Sequence, residues 1–149
     1  MAKKFSYRLE TFLNLKTFKV KEIEENIQKV LYYRTQTEEE IRKNQEYLAM
    51  LNNNRNGHFK AIEIQALNYH KEAVKDEIEN LRSQLARIIE IENILRQRLV
   101  EAMKEEKVLQ RLKERQFEAY MYEVNREETK LLDEITVQKE IRKNHAGLE

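Results

Sequence analysis

The sequence predicts an all-α fold: two long helices in an antiparallel coiled-coil hairpin. Three observations predict it. The 149 residues include only two glycines and no proline, cysteine or tryptophan. Sheets need turns, and turns draw on Gly, Pro, Asn and Asp at special backbone angles. Apolar residues then recur at alternating steps of four and three. Finally, the chain has one strong break. Charged side chains make up 37% and apolar ones 40% of the sequence, a composition of long helices with a thin seam between them.

The first helix follows the ladder Leu9, Leu13, Lys16, Val20, Ile23, Ile27, Val30, Arg34, Thr37, Ile41, Asn44, Leu48 and Leu51, mostly apolar. Such a heptad repeat wraps helices with a left-handed supercoil. Its expected extent is about 6–51, or roughly 70 Å at 1.5 Å per residue. The break is Asn52-Asn53-Asn54-Arg55-Asn56-Gly57. Asn and Gly accept the left-handed conformation that ends helices, and Asn side chains compete for the backbone. A reversal is expected over about 52–66, with His58 to Ala66 a candidate short helix at the tip.

The second helix, expected over about 67–143, carries Leu67, Lys71, Val74, Ile78, Leu81, Leu85, Ile88, Glu92, Leu95, Leu99, Ala102, Glu106 and Leu109. A third stretch, Phe117, Met121, Val124, Glu128, Leu131 and Ile135, is out of phase with it by about one residue. Polar seam positions such as Lys16, Arg34, Asn44, Lys71 and Glu92 more often set register than carry chemistry. Residue numbers across the pair are expected to sum to about 118, which sets Leu9 near Leu109 and leaves everything after about residue 113 overhanging. That overhang keeps an apolar stripe. It reads as a partner surface, with self-association or a frayed tail as the alternatives. His145 to Glu149 are expected to fray.

Composition excludes several functions. No cysteine means no disulfide, thiol chemistry or Cys-based zinc site. No apolar run reaches the length of a signal peptide or a membrane span, so the protein is expected to be soluble and cytoplasmic. Two scattered glycines build no phosphate loop. His58, His70 and His145 lack the partners of a metal helix, so they read as solvated side chains. Glu38-Glu39-Glu40 reads as a solvated face with helical partners such as Lys43 for Glu39. No catalytic residue, metal or cofactor is expected.

The net charge of +1 asks for no nucleic acid. Basic residues nonetheless gather in residues 1–22 and from Arg96 to Arg115. They support an alternative reading, a basic-ended helical hairpin that binds nucleic acid. A generic structural coiled coil is another alternative. At the opposite end, Tyr47, Phe59 and Tyr69 flank the reversal near Leu51 and Val74, either as interface anchors or as a packed cap.

Two terminal motifs carry a resemblance. The opening Phe5-Ser6-Tyr7-Arg8-Leu9-Glu10, followed by Leu13 and Leu15, and the closing Glu127-Glu128-Thr129-Lys130-Leu131-Leu132-Asp133-Glu134 are similar to the ends of the FliJ family. That family is the coiled-coil component of bacterial flagellar protein export. The resemblance implies a non-catalytic hairpin like the central stalk of rotary ATPases. It would bind the export ATPase hexamer and the export-gate membrane protein, and assist with substrate chaperones. It would be monomeric alone and sit in the cytoplasm at the inner face of the membrane through its partners. On this chain, Phe5, Tyr7, Arg8, Leu9, Glu10, Leu131, Leu132, Asp133 and Glu134 would face the ATPase. Tyr47, Leu51, Tyr69 and Val74 are candidates for the gate contact, which the family motif does not fix.

Overall fold

Heptad periodicity becomes helix almost throughout. In a computed structural model that describes residues 3–53 and 60–147, α1 runs Glu10–Asn53 and α2 runs Ala61–Gly147, and they pack antiparallel. The described residues contain no strand. No helix among them is long and apolar enough to cross a membrane. The buried positions of both helices are ladder positions: Leu13, Val20, Ile23, Ile27, Ile41 and Leu51 on α1, and Lys71, Val74, Ile78, Leu81, Glu92 and Ala102 on α2.

The chain packs as two units, Lys19–Ala102 in one and Met1–Phe18 with Met103–Glu149 in the other. The first holds two apolar clusters. Val20, Ile23, Ile27 and Ala102 pack with Leu31, Leu95 and Leu99. Leu51, Val74 and Ile78 pack with Leu48 and Leu67. In the second unit, Leu13 and Tyr7 are buried, and Lys16 and Lys113 reach across to Glu105 and Glu10.

Both helix starts differ from expectation for local reasons. Residues 3–7 are not helical, and α1 begins only at Glu10. There the Glu10 amide donates to the Tyr7 carbonyl at 3.1 Å, the Leu13 amide donates to the Leu9 carbonyl at 2.9 Å, and the Glu10 carboxylate suits the positive helix end. α2 starts at Ala61 rather than near 67, so residues 61–66 belong to it. The Glu63 carboxylate accepts from the Lys60 amide at 3.2 Å, and the Ile64 amide donates to the Lys60 carbonyl. This is half of a capping box, in which the third helical residue reaches back to the cap amide. The rest of the expected reversal, including His58, lies outside the described residues. At the other end α2 continues through His145 to Gly147, where fraying was expected.

The register also changes what counts as overhang. Lys16 with Glu105, Glu10 with Lys113 and Phe5 with Phe117 lie about three to five residues beyond the expected register sum. The non-helical Phe5 thus keeps the spacing of the helical pairs and meets Phe117 and Tyr120. Half-buried positions on α2 end at Val124, and every described residue after it is exposed. The unpaired segment thus begins near residue 125, not 113.

Candidate functional site

The N-terminal motif is built into a clamp on α2. Phe5 meets Phe117 edge-on with ring centroids 5.2 Å apart, and Tyr120 at 5.5 Å. Such pairs add about 0.5–1.5 kcal/mol beyond their buried area. Tyr7 is buried, and its hydroxyl donates to the Leu109 carbonyl at 3.0 Å. Glu10 pairs with Lys113 at 2.9 Å. Arg8 is exposed and Leu9 is 37% exposed. Within the motif, Phe5, Tyr7 and Glu10 are thus engaged inside the chain, while Arg8 and part of Leu9 face outward.

The C-terminal motif is the converse. Leu131 and Leu132 are 58% and 63% exposed, and Ile135, Val137 and Ile141 are also exposed. Asp133 and Glu134 are exposed beside them. The two motifs do not meet: Leu131 lies roughly 16 Å further along α2 than Tyr120. What α2 offers here is a helix with no neighbour among the described residues, an apolar stripe and charges of both signs. Thr129 and Thr136 return their hydroxyls to the carbonyls of Asn125 and Leu132, so they spend their polarity on the helix itself.

Near the reversal, Leu51 and Val74 are buried with Ile78. Their side chains are spent inside the hairpin. Tyr47 is 39% exposed, with its hydroxyl 2.7 Å from His70 Nε2 and the two rings edge-on. His70, expected to be merely solvated, is therefore partnered. Met50, Ile62, Ile64 and Tyr69 are exposed large side chains nearby; Phe59 lies outside the described residues.

The acidic run is a set of helical ion pairs. Glu38 takes Arg34, and Arg42 takes both Glu39 and Glu46. The hydrogen bond from Arg42 holds the Glu39 carboxyl below its ordinary range. Among the described residues no cluster of His, Cys, Asp and Glu fits a metal ion. At the basic end, Lys16 and Lys113 are neutralised by Glu105 and Glu10.

In the sequence Arg34 and Glu92 read only as separate seam interruptions; the structure joins them. Arg34 Nη1 donates to Glu92 Oε2 at 2.6 Å, and Arg96 donates to Glu92 Oε1 from Nε at 3.0 Å and Nη2 at 2.9 Å. Hydrogen bonds from Arg96 and then Arg34 hold the Glu92 carboxyl below the usual carboxylate range, against the opposing effect of burial. The available signal was a pair of opposite charges, one on each ladder.

Comparison with known proteins supplies the class. No curated protein and no solved structure matches the chain. A family model described as flagellar FliJ protein matches residues 5–145. The match runs from the aromatic clamp through both heptad ladders and past the end of the exposed stripe, so the chain belongs to the FliJ family, a component of flagellar protein export.

Proposed function

We propose that this chain is the stalk-like component that engages the export ATPase ring through the unpaired C-terminal part of α2. It also contacts the export gate and assists in handling substrate chaperones. It works in the cytoplasm at the inner face of the membrane, held there by its partners. The observation that carries this reading is the exposed stripe of Leu131, Leu132 and Ile135 on a helix without a neighbour among the described residues. Burying such side chains is worth about 1.5–3 kcal/mol each, and within the described chain nothing collects that energy. Arg8 and Leu9 at the edge of the clamp are a second, separate exposed patch for the same partner. For the gate contact, Tyr69 and the outer edge of Tyr47 are the available side chains, because Leu51 and Val74 are enclosed.

The test combines Leu131→Asp and Ile135→Asp in one chain. Helix content and melting should match the parent, because neither position packs in the free protein. The concentration required to stimulate the purified ATPase should rise by at least tenfold. Unchanged stimulation would defeat the assignment of this segment. Arg8→Ala and Asp133→Ala should each weaken stimulation by a smaller factor. Tyr47→Ala with unaltered affinity for the gate protein would remove the gate contact from this end.

A further inference from the structure

A heptad seam alone is a poor ruler. When one apolar ladder slides seven residues along another, most Leu and Ile side chains meet Leu and Ile again. Something in the sequence must make one register better than its neighbours. In the unit formed by Lys19–Ala102, the two apolar clusters are separated along the seam by one ionic node. The Glu92 side chain there is 5% exposed. Both of its carboxylate oxygens are occupied by guanidinium groups, one reaching across from α1 and one from the next turn of α2.

We propose that Arg34, Glu92 and Arg96 form a register lock, a charged tooth that admits one alignment of α1 against α2 and rejects the alignments one heptad away. The rejection follows from what each slide would bring opposite. Moving α2 by seven residues in either direction sets Glu92 against Ile27 or Ile41 instead of Arg34. It sets Arg34 against Leu85 or Leu99 instead of Glu92. Each slip therefore takes one of its two guanidiniums from the buried Glu92 carboxylate, sets it among isoleucines with Arg96 alone, and leaves Arg34 over leucine with only Glu38. A buried charge that loses its partner is strongly destabilising, whereas replacing the whole buried pair by apolar side chains is often neutral or stabilising.

The same node discriminates against the wrong partner. Two chains aligned in parallel would set Glu92 against Glu92 and Arg34 against Arg34. Arg96 sits on the same helix as Glu92 and travels with it in any slide. It is the positioning residue: it holds the carboxylate, and Arg34 is the element that reads register. The lock depends only on the intrachain seam, so it stands whether or not the segment after Val124 meets the ATPase.

The experiment is a spin-label distance measurement on the full chain, with labels at the exposed positions Gln36 and Glu90. The parent should give one narrow distance. Glu92→Leu should keep its helix content, because Arg34 retains Glu38 and both guanidiniums are exposed enough to turn to solvent. Its distance distribution should nonetheless gain a second population displaced by about one heptad, roughly 10 Å along the axis. The triple swap Arg34→Glu, Glu92→Arg, Arg96→Glu rebuilds the node with reversed signs and should restore one narrow distance. A Glu92→Leu chain that keeps the single parental distance overturns the lock, as does one that loses its helix. So does a triple swap that stays as broad as the single variant.

Discussion

Equal deletions at two isoleucines should have opposite consequences. Ile27 is 5% exposed and packs with Val20, Ile23 and Ala102, against Leu31, Leu95 and Leu99. Ile27→Ala removes three carbons, worth about 2.4 kcal/mol at ~0.8 kcal/mol per buried methylene. In a deep core, a residual cavity would add to this. A seam only two helices thick lets water or neighbouring side chains fill the gap, so that addition should be small. Alanine's better helix propensity returns a few tenths of a kcal/mol. The net loss should be about 2 kcal/mol, or a melting midpoint lower by roughly 4–8 °C for a chain of this size. Ile135 is 41% exposed on the unpaired segment, and Ile135→Ala should lie within about 0.5 kcal/mol of the parent. Circular dichroism melts at two protein concentrations measure both. If Ile135→Ala costs as much as Ile27→Ala, the C-terminal stripe is already packed in the free protein. If Ile27→Ala costs less than about 0.5 kcal/mol, the seam is not what joins the helices.

Two further outcomes follow from the same geometry. Tyr7→Phe deletes the hydroxyl that donates to Leu109 while keeping the ring. It should cost about 0.5–1.5 kcal/mol and show first as faster amide exchange at the Leu13 amide, which the turn at Leu9 holds. Acid should act through Glu92. Its folded pKa is depressed, so its contribution is complete above the unfolded value of ~4.3 and drains away as pH falls through the folded one. The melting midpoints of the parent and Glu92→Gln should therefore differ at pH 7 and pH 5 alike, and the gap should narrow steadily as pH falls below the unfolded value. A gap that does not narrow in acid would show that the carboxylate charge is not what Arg34 and Arg96 recognise.

Spacing alone placed the ladder: nearly every buried or half-buried described residue from Leu13 to Leu109 stands on it. Period is a property of the chain, and a helix with one neighbour has only one way to satisfy it. The misses came where backbone conformation, rather than side-chain type, decides. Nothing in Phe5-Ser6-Tyr7 forbids a helix. The chain runs non-helical there because Tyr7 and Phe5 gain more by reaching Leu109, Phe117 and Tyr120 than by joining α1. The α2 start was missed because Lys60 is an unusual cap and only the Glu63 half of the signal is present. For the candidate site, side-chain type marked the aromatic and leucine motifs but could not separate their uses. Phe5, Tyr7 and Glu10 turn inward and Leu131 and Leu132 outward, a difference set by where pairing of the N-terminal residues with α2 stops.

That division bears on why an unpaired helix persists with its apolar face in water. An isolated segment of this length would be marginal, because the first turn of a helix is costly to nucleate. Residues after Val124 meet no such cost: they extend a helix already held along the seam, so each further turn needs only propagation. The segment is therefore presented in the form a partner would bind. Association would lose little backbone entropy there, and ordering is the expense that most often separates buried area from affinity. Folding alone gives Leu131, Leu132 and Ile135 nothing to do, and polar residues of equal helix propensity would hold this segment as well. Their exposure is energy left for association, and the pre-formed helix lets most of it appear as binding.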